Sequence, residues 1–210
     1  MGLARASTNQ IYSLRRNADG QSEVHEYDAM PRLSEFLGEL GFSGYKELGF
    51  DKILLVEGAT EVKTFHQFLR LYGKDHQIVL LPLGGNQLIR GVSETELQEI
   101  KHISDNISAV IDSERSSSHV ALEPARASFL QTCKFVGIDC HVLDRRATEN
   151  YFTDQAIKKV MGSKYSALQP YERLEDASLG WAKADNWRTT REMSRAELEA
   201  TDLGEFLQSL

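Results

Sequence analysis

Five carboxylates stand where the chain could bring a cation and a phosphate together. Glu57 lies in Val56-Glu57-Gly58, Glu61 four residues later, Asp112 and Glu114 in Ile111-Asp112-Ser113-Glu114, and Glu149 in Ala147-Thr148-Glu149-Asn150-Tyr151. Converging carboxylates repel one another, so a folded chain rarely groups them without a cation. Oxygen donors with no His or Cys nearby favour Mg²⁺ or Mn²⁺ over zinc. Such ions polarise phosphoryl oxygens, and a pair about 3.5–4 Å apart stabilises both the attacking and the leaving oxygen. Five carboxylates are more than one Mg²⁺ usually takes from protein, which points to two ions.

The elements that must position these acids follow from periodicity. Lys52–Glu57 is a short, nearly continuous apolar run ending in Glu-Gly, as in a buried parallel strand. Thr60 is placed to cap a helix whose apolar face carries Val62, Phe65, Phe68, Leu69 and Tyr72. Gln77–Leu83 predicts a second strand closed by a Gly84-Gly85-Asn86 turn, Ser93–Ile103 a helix, and Ile107–Asp112 a third strand. Leu122–Val136 predicts a helix and Asp139–Leu143 a fourth strand. This alternation indicates an α/β fold, a Rossmann-like, mostly parallel sheet with helices on both faces. Beyond Thr148 the pattern is helical, over Glu149–Met161, Leu174–Arg191 and Arg195–Leu210. That region is expected to pack on the sheet or extend beside it. Upstream, Met1–Asp28 predicts a short extended pair turning at Asn17–Gly20, and Met30–Leu40 a helix stopped by Gly41.

In open parallel sheets, ligands bind beyond the carboxyl ends of the strands, and the acids fall there. If the chain stays extended after the third strand, the i, i+2 spacing of Asp112 and Glu114 points both one way. Gly58 and Gly84-Gly85 sit at the same edge, where a missing side chain lets phosphate approach the backbone. Each acid also has an ordinary explanation. Glu61 or Glu149 at a helix start can simply complement the helix dipole, and Asp112 and Glu114 can be loop surface. Their coincidence at the strand ends of one sheet is what favours a site.

Composition sets the remaining bounds. A formal charge of −7 argues against a general nucleic-acid coat, although cations bound to a carboxylate site would offset part of it. The longest apolar runs, Ile53–Val56 and Ile78–Leu83, are too short to span a bilayer, so no membrane association is expected. The two cysteines, Cys133 and Cys140, form no zinc pattern and are expected to be buried thiols in a cytoplasmic protein. His66, His76, His102 and His141 show no ligand spacing.

The ordered set Leu55-Val56-Glu57-Gly58 and Val110-Ile111-Asp112-Ser113-Glu114 resembles the Toprim signature, a lone Glu on the first strand and a DxD-type motif on the third. With Glu61, Gly84-Gly85-Asn86 and Thr148-Glu149-Asn150-Tyr151 added, the stretch from Lys52 to the C-terminus is similar to the nucleases of the OLD (overcoming lysogenization defect) family. Glu114 departs from the general pattern, which has Asp there. The resemblance implies a metal-dependent DNA endonuclease using Mg²⁺ or Mn²⁺, with Glu57, Glu61, Asp112, Glu114 and Glu149 as ligands. It also implies a catalytic Lys from the helical C-terminal region, for which Lys183 in Gly180-Trp181-Ala182-Lys183 is the candidate. A solvated helix Lys is the alternative.

The family carries an ATPase domain before the Toprim part, yet this sequence has no GxxxxGKS/T phosphate loop and hence no expected nucleotide site. Residues 1–50 are then expected to trail from that upstream domain, 51–150 to form the Toprim core, and 151–210 to form the helical region. A homodimer through the parent protein is a further implied partner. Arg145, Arg146, Arg188 and Arg191 could line a DNA path, or belong to solvated helix faces shared with Asp185 and Glu192. Two other functions are compatible with the pattern: a Toprim-like module that binds nucleic acid or protein without cutting, and a phosphoacceptor receiver domain. The receiver needs an acidic pair at the first strand and a Lys after a final strand, for which Glu57-Gly58 is a poor match.

Overall fold

The computed structural model describes residues 12–16, 22–26, 49–84 and 94–210. The expected Met30–Leu40 helix, the Asn17–Gly20 turn and the Gly85-Asn86 part of the second turn lie outside the described residues. Strands β1 (Tyr12–Arg16) and β2 (Ser22–Glu26) pair antiparallel, Leu14 opposite Val24, as the alternation predicts.

The core is an α/β, Rossmann-like unit of four parallel strands: β3 (Lys52–Val56), β4 (Ile78–Pro82), β5 (Ile107–Ile111) and β6 (Asp139–Val142). Their spatial order is β4-β3-β5-β6. The chain leaves β3 in one direction to reach β4, then crosses back over β3 to β5 and on to β6. Right-handed crossovers then require helix α1 (Ala59–Leu71) on one face, and α2 (Glu94–Ile103) and α3 (Pro124–Val136) on the other. The side chains obey this. Ile53, Leu55, Ala109 and Ile111 pack with Leu97, Ile100, Phe129 and Cys133, whereas Leu54, Val56 and Val110 pack with Phe65, Phe68 and Leu69. Ile53–Val56 are fully buried because both faces of β3 are covered.

One helix cannot cover a four-stranded face. The C-terminal region fills the rest through α4 (Asp154–Met161), α5 (Asn186–Arg191) and α6 (Asp202–Ser209), placing Ile157, Met193, Leu203, Phe206 and Leu207 in the α1-side core. Each such side chain contributes about 1.5–3 kcal/mol on burial, so this region is part of the fold and not an appendage. Among the described residues no strand follows β6, and no helix is long and apolar enough to cross a membrane.

Three local expectations need correction. Thr60 does not cap α1; Gly58 stands at the N-cap, and the Thr60 hydroxyl donates to Glu61 at 2.9 Å. Glu149 does not open a long helix. A 3₁₀ turn covers Thr148–Tyr151, and α4 starts separately, with the Thr153 hydroxyl accepting from the N–H of Ala156. The spans 174–191 and 195–210 are likewise broken: two 3₁₀ turns, Leu174–Asp176 and Lys183–Asp185, precede the short α5, and a 3₁₀ turn at Arg195–Glu197 precedes α6. Apolar periodicity signals which residues face the core, but it does not require an unbroken helix between them.

Candidate active site

The crossovers leave the parallel strands β3 and β5 in opposite directions, so their carboxyl ends flank the topological switch point, where open α/β sheets bind ligands. Glu57 follows β3 and Asp112 follows β5. The two are bonded to each other: the backbone N–H of Asp112 donates to Glu57 Oε1 at 2.7 Å. Arg126 of α3 closes the same junction, donating to Glu57 Oε1 and, at 2.7 Å, to the carbonyl of Asp112. Arg126 is only 2% exposed and Glu57 9%. Nothing in the acid pattern pointed to Arg126. Its signal was position, since it shares a helix face with buried Phe129 and Cys133, where an Arg is out of place unless paired.

Asp112 is held from the far side by the 3₁₀ turn. Its Oδ1 accepts from the Thr148 N–H at 3.0 Å and the Thr148 hydroxyl at 3.1 Å. Asn150 fixes that turn. Its side chain accepts from the N–H of Ala147 at 3.0 Å and donates to the carbonyls of Gln169 and Glu172 at 2.6 and 2.9 Å. Glu149, 3% exposed, is thereby turned inward, and Lys183 Nζ reaches its Oε1 at 2.8 Å. Glu149 Oε2 is buried with no hydrogen-bond partner.

Electrostatics tie these groups into one unit. Burial, then the charges of Glu57 and Glu149, push the Asp112 carboxyl well above its ordinary pKa. Burial raises Glu57 as well, against the opposing hydrogen bond and charge of Arg126. Burial alone would lower Lys183, but the charges of Glu149, Asp112 and Glu61 outweigh it and hold the ammonium above its usual range. Glu61 lies close enough to act on Glu57, Asp112 and Lys183.

Glu114 goes elsewhere. Its backbone adopts φ 54°, so the chain does not stay extended after Asp112, and its carboxylate pairs with Arg146. Asp112 and Glu114 therefore do not point one way, as their i, i+2 spacing would in an extended chain. Glu114 lies with Arg126, Arg146, Glu149 and Lys183 on the wall of a cleft of about 280 Å³ beside the junction. Direct contacts thus join Glu57 to Asp112 and Glu149 to Lys183, while Glu114 pairs with Arg146 on the cleft wall that Glu149 and Lys183 share.

Comparison with family models, with curated proteins and with solved structures finds no match.

Among the described residues, no three His, Cys, Asp or Glu side chains stand in a group able to hold a metal ion as they are placed. The donor chemistry nevertheless suits a hard cation. Glu57, Glu61, Asp112 and Glu149 set against Arg126 and Lys183 leave two negative charges when all are ionised. The buried Glu149 Oε2 is an acceptor oxygen with no hydrogen-bond partner in the protein, as an oxygen free to meet a cation would be.

The arginines divide into two pairs. Arg145 stacks over the Tyr151 ring at 4.8 Å and donates to the Asn150 carbonyl at 2.7 Å, while Arg146 is spent on Glu114 and the carbonyls of Glu114 and Arg115. Both brace the site loop, and Arg146 also lines the cleft. Arg188 and Arg191 on α5 are more than half exposed and flank the Trp187 ring.

Proposed function

We propose that this chain is a divalent-metal-dependent DNA phosphodiesterase of Toprim type. The observation carrying this reading is the bonded pair Glu57–Asp112 at the switch point, tied through Thr148 to the turn that carries the Glu149–Lys183 ion pair. Asp112, Glu149 and Glu61 would hold Mg²⁺ or Mn²⁺, with Glu57 beside them. A divalent ion there supplies Lewis-acid activation of the phosphodiester. The protein's own contribution is positioning. Arg126 and the Asp112 N–H fix Glu57, Thr148 fixes one Asp112 oxygen, and both act in a water-poor setting where fixed charges are strong. Lys183, 39% exposed at its side chain, can release Glu149 and bind a phosphate oxygen. DNA as substrate rests on the resemblance to OLD-family nucleases.

The test is a supercoiled plasmid incubated with the chain in Mg²⁺, in Mn²⁺ and in chelator, for wild type and Asp112→Ala. Cleavage by wild type in metal alone is expected. Equal cleavage in chelator, or by the variant, would sink the proposal.

A second reading is favoured by Arg126. A buried guanidinium already pairs with Glu57, which takes that carboxylate away from a cation and suits a module that binds nucleic acid without cutting it. That reading expects retarded but intact plasmid in both metals.

A further inference from the structure

The C-terminal helix enters the site through one side chain. Asp202 opens α6, and its carboxylate grips both flanks of the loop that carries Thr148 and Glu149. On the upstream flank, Asp202 Oδ2 accepts from the Asp144 N–H at 2.9 Å and lies 3.0 Å from His141 Nε2. On the downstream flank, Tyr151 donates its hydroxyl hydrogen to Asp202 Oδ1 at 2.6 Å. The same Tyr151 oxygen accepts from the Arg145 N–H at 3.1 Å, and the Arg145 guanidinium lies over the ring. His141 in turn stacks on Phe206 of α6 at 4.7 Å. The Asp202 side chain is 15% exposed and Tyr151 is 2% exposed, so water competes little for these bonds. Both ends of the segment 144–151 are therefore anchored to one carboxylate 51 residues further along the chain.

From this arrangement we infer that Asp202 is a positioning residue. It clasps the 144–151 loop so that Thr148 meets Asp112 and Glu149 meets Lys183. The effect on catalysis rests on the nuclease reading; the clasp itself does not. An isosteric amide at 202 can still accept from Tyr151, but then presents its NH₂ to the Asp144 N–H, a donor facing a donor. The loop should loosen without loss of the packed core.

The experiment combines backbone amide exchange with cleavage kinetics on the full chain, using Asp202→Asn and Tyr151→Phe. Exchange at Asp144, Arg145 and Thr148 is expected to rise about tenfold or more in each variant, with the β3 and β5 amides unchanged. The plasmid kcat in Mn²⁺ should fall about tenfold with KM unchanged, and Asp202→Glu, which keeps a carboxylate to accept these bonds, should lose less than Asp202→Asn. Unchanged exchange in the loop would overturn the clasp, as would equal loosening of β3 and β5, which would be general destabilisation. A loosened loop with wild-type kcat would overturn the positioning role. If the loop loosens but the wild type does not cut in either metal, the nuclease reading fails and the clasp stands.

Discussion

Glu57 and Asp112, 55 residues apart in the chain, share a hydrogen bond of 2.7 Å between the carboxylate of one and the backbone N–H of the other. This bond spans the two strand ends between which the crossover direction reverses. It makes the first acid a support for the backbone that carries the second.

Replacing Asp112 with Asn should remove metal-dependent cleavage while leaving the melting temperature equal to wild type or higher. Burial, Glu57 and Glu149 all oppose its ionisation, whereas an amide oxygen still accepts from Thr148. Parallel plasmid assays and thermal melts check this. A variant that melts well below wild type would show that the carboxylate contributes to the fold.

Arg126→Met should have the opposite character. Its removal leaves Glu57 buried and unpaired, a situation that costs about 3–5 kcal/mol. Urea denaturation at neutral pH should show a loss of that order. The double variant Arg126→Met, Glu57→Gln should recover much of it. No recovery would mean that Arg126 acts mainly through the Asp112 carbonyl.

Glu61 and Glu149 separate a two-ion site from a one-ion site. If they hold a second ion, calorimetric titration with a substrate analogue present should find two ions in wild type and one in Glu61→Gln or Glu149→Gln. Cleavage should then drop by roughly a hundredfold, since one electrostatic stabiliser commonly contributes about 3–4 kcal/mol. Unchanged stoichiometry and rate would reduce Glu61 to a helix-start acid and Glu149 to the ion-pair partner of Lys183.

Asp202 sets a pH dependence of stability. Burial alone would raise its carboxyl pKa, but hydrogen bonds from His141, Tyr151 and the Asp144 N–H outweigh that and hold it below the ordinary 3.8. A carboxyl whose folded pKa is depressed stabilises the fold fully above its unfolded pKa, and that contribution fades as pH falls through the folded one. The stability difference between wild type and Asp202→Asn should therefore be largest at neutral pH and shrink as the pH drops below about 4. Denaturant titrations at neutral and acidic pH measure it. A difference that grows on acidification would contradict the assignment.

The sequence by itself determined the strand–helix alternation, because the central parallel strands, covered on both faces, are short apolar runs. From the same runs it placed Glu57 and Asp112 at strand ends. It also marked Glu61 and Glu149 as acids beside the same strand ends, whereas Lys183 came only from the family resemblance; the fold bonds Glu57 to Asp112 and Glu149 to Lys183. Tertiary structure decided the rest. Whether Glu114 faces Asp112 or Arg146 depends on a left-handed turn at one residue, and residue spacing alone carries no record of that φ. Arg126 joined the site only because α3 packs on the face of β5 that sets its guanidinium under Glu57. The Asp202 clasp depends on where the last helix docks. Hydrophobic pattern states which side of a helix is buried, but not which partner lies there, because any apolar face of matching shape satisfies the same free energy. Only the filled sheet face, with α1 covering part of it and the C-terminal region the remainder, selects that partner.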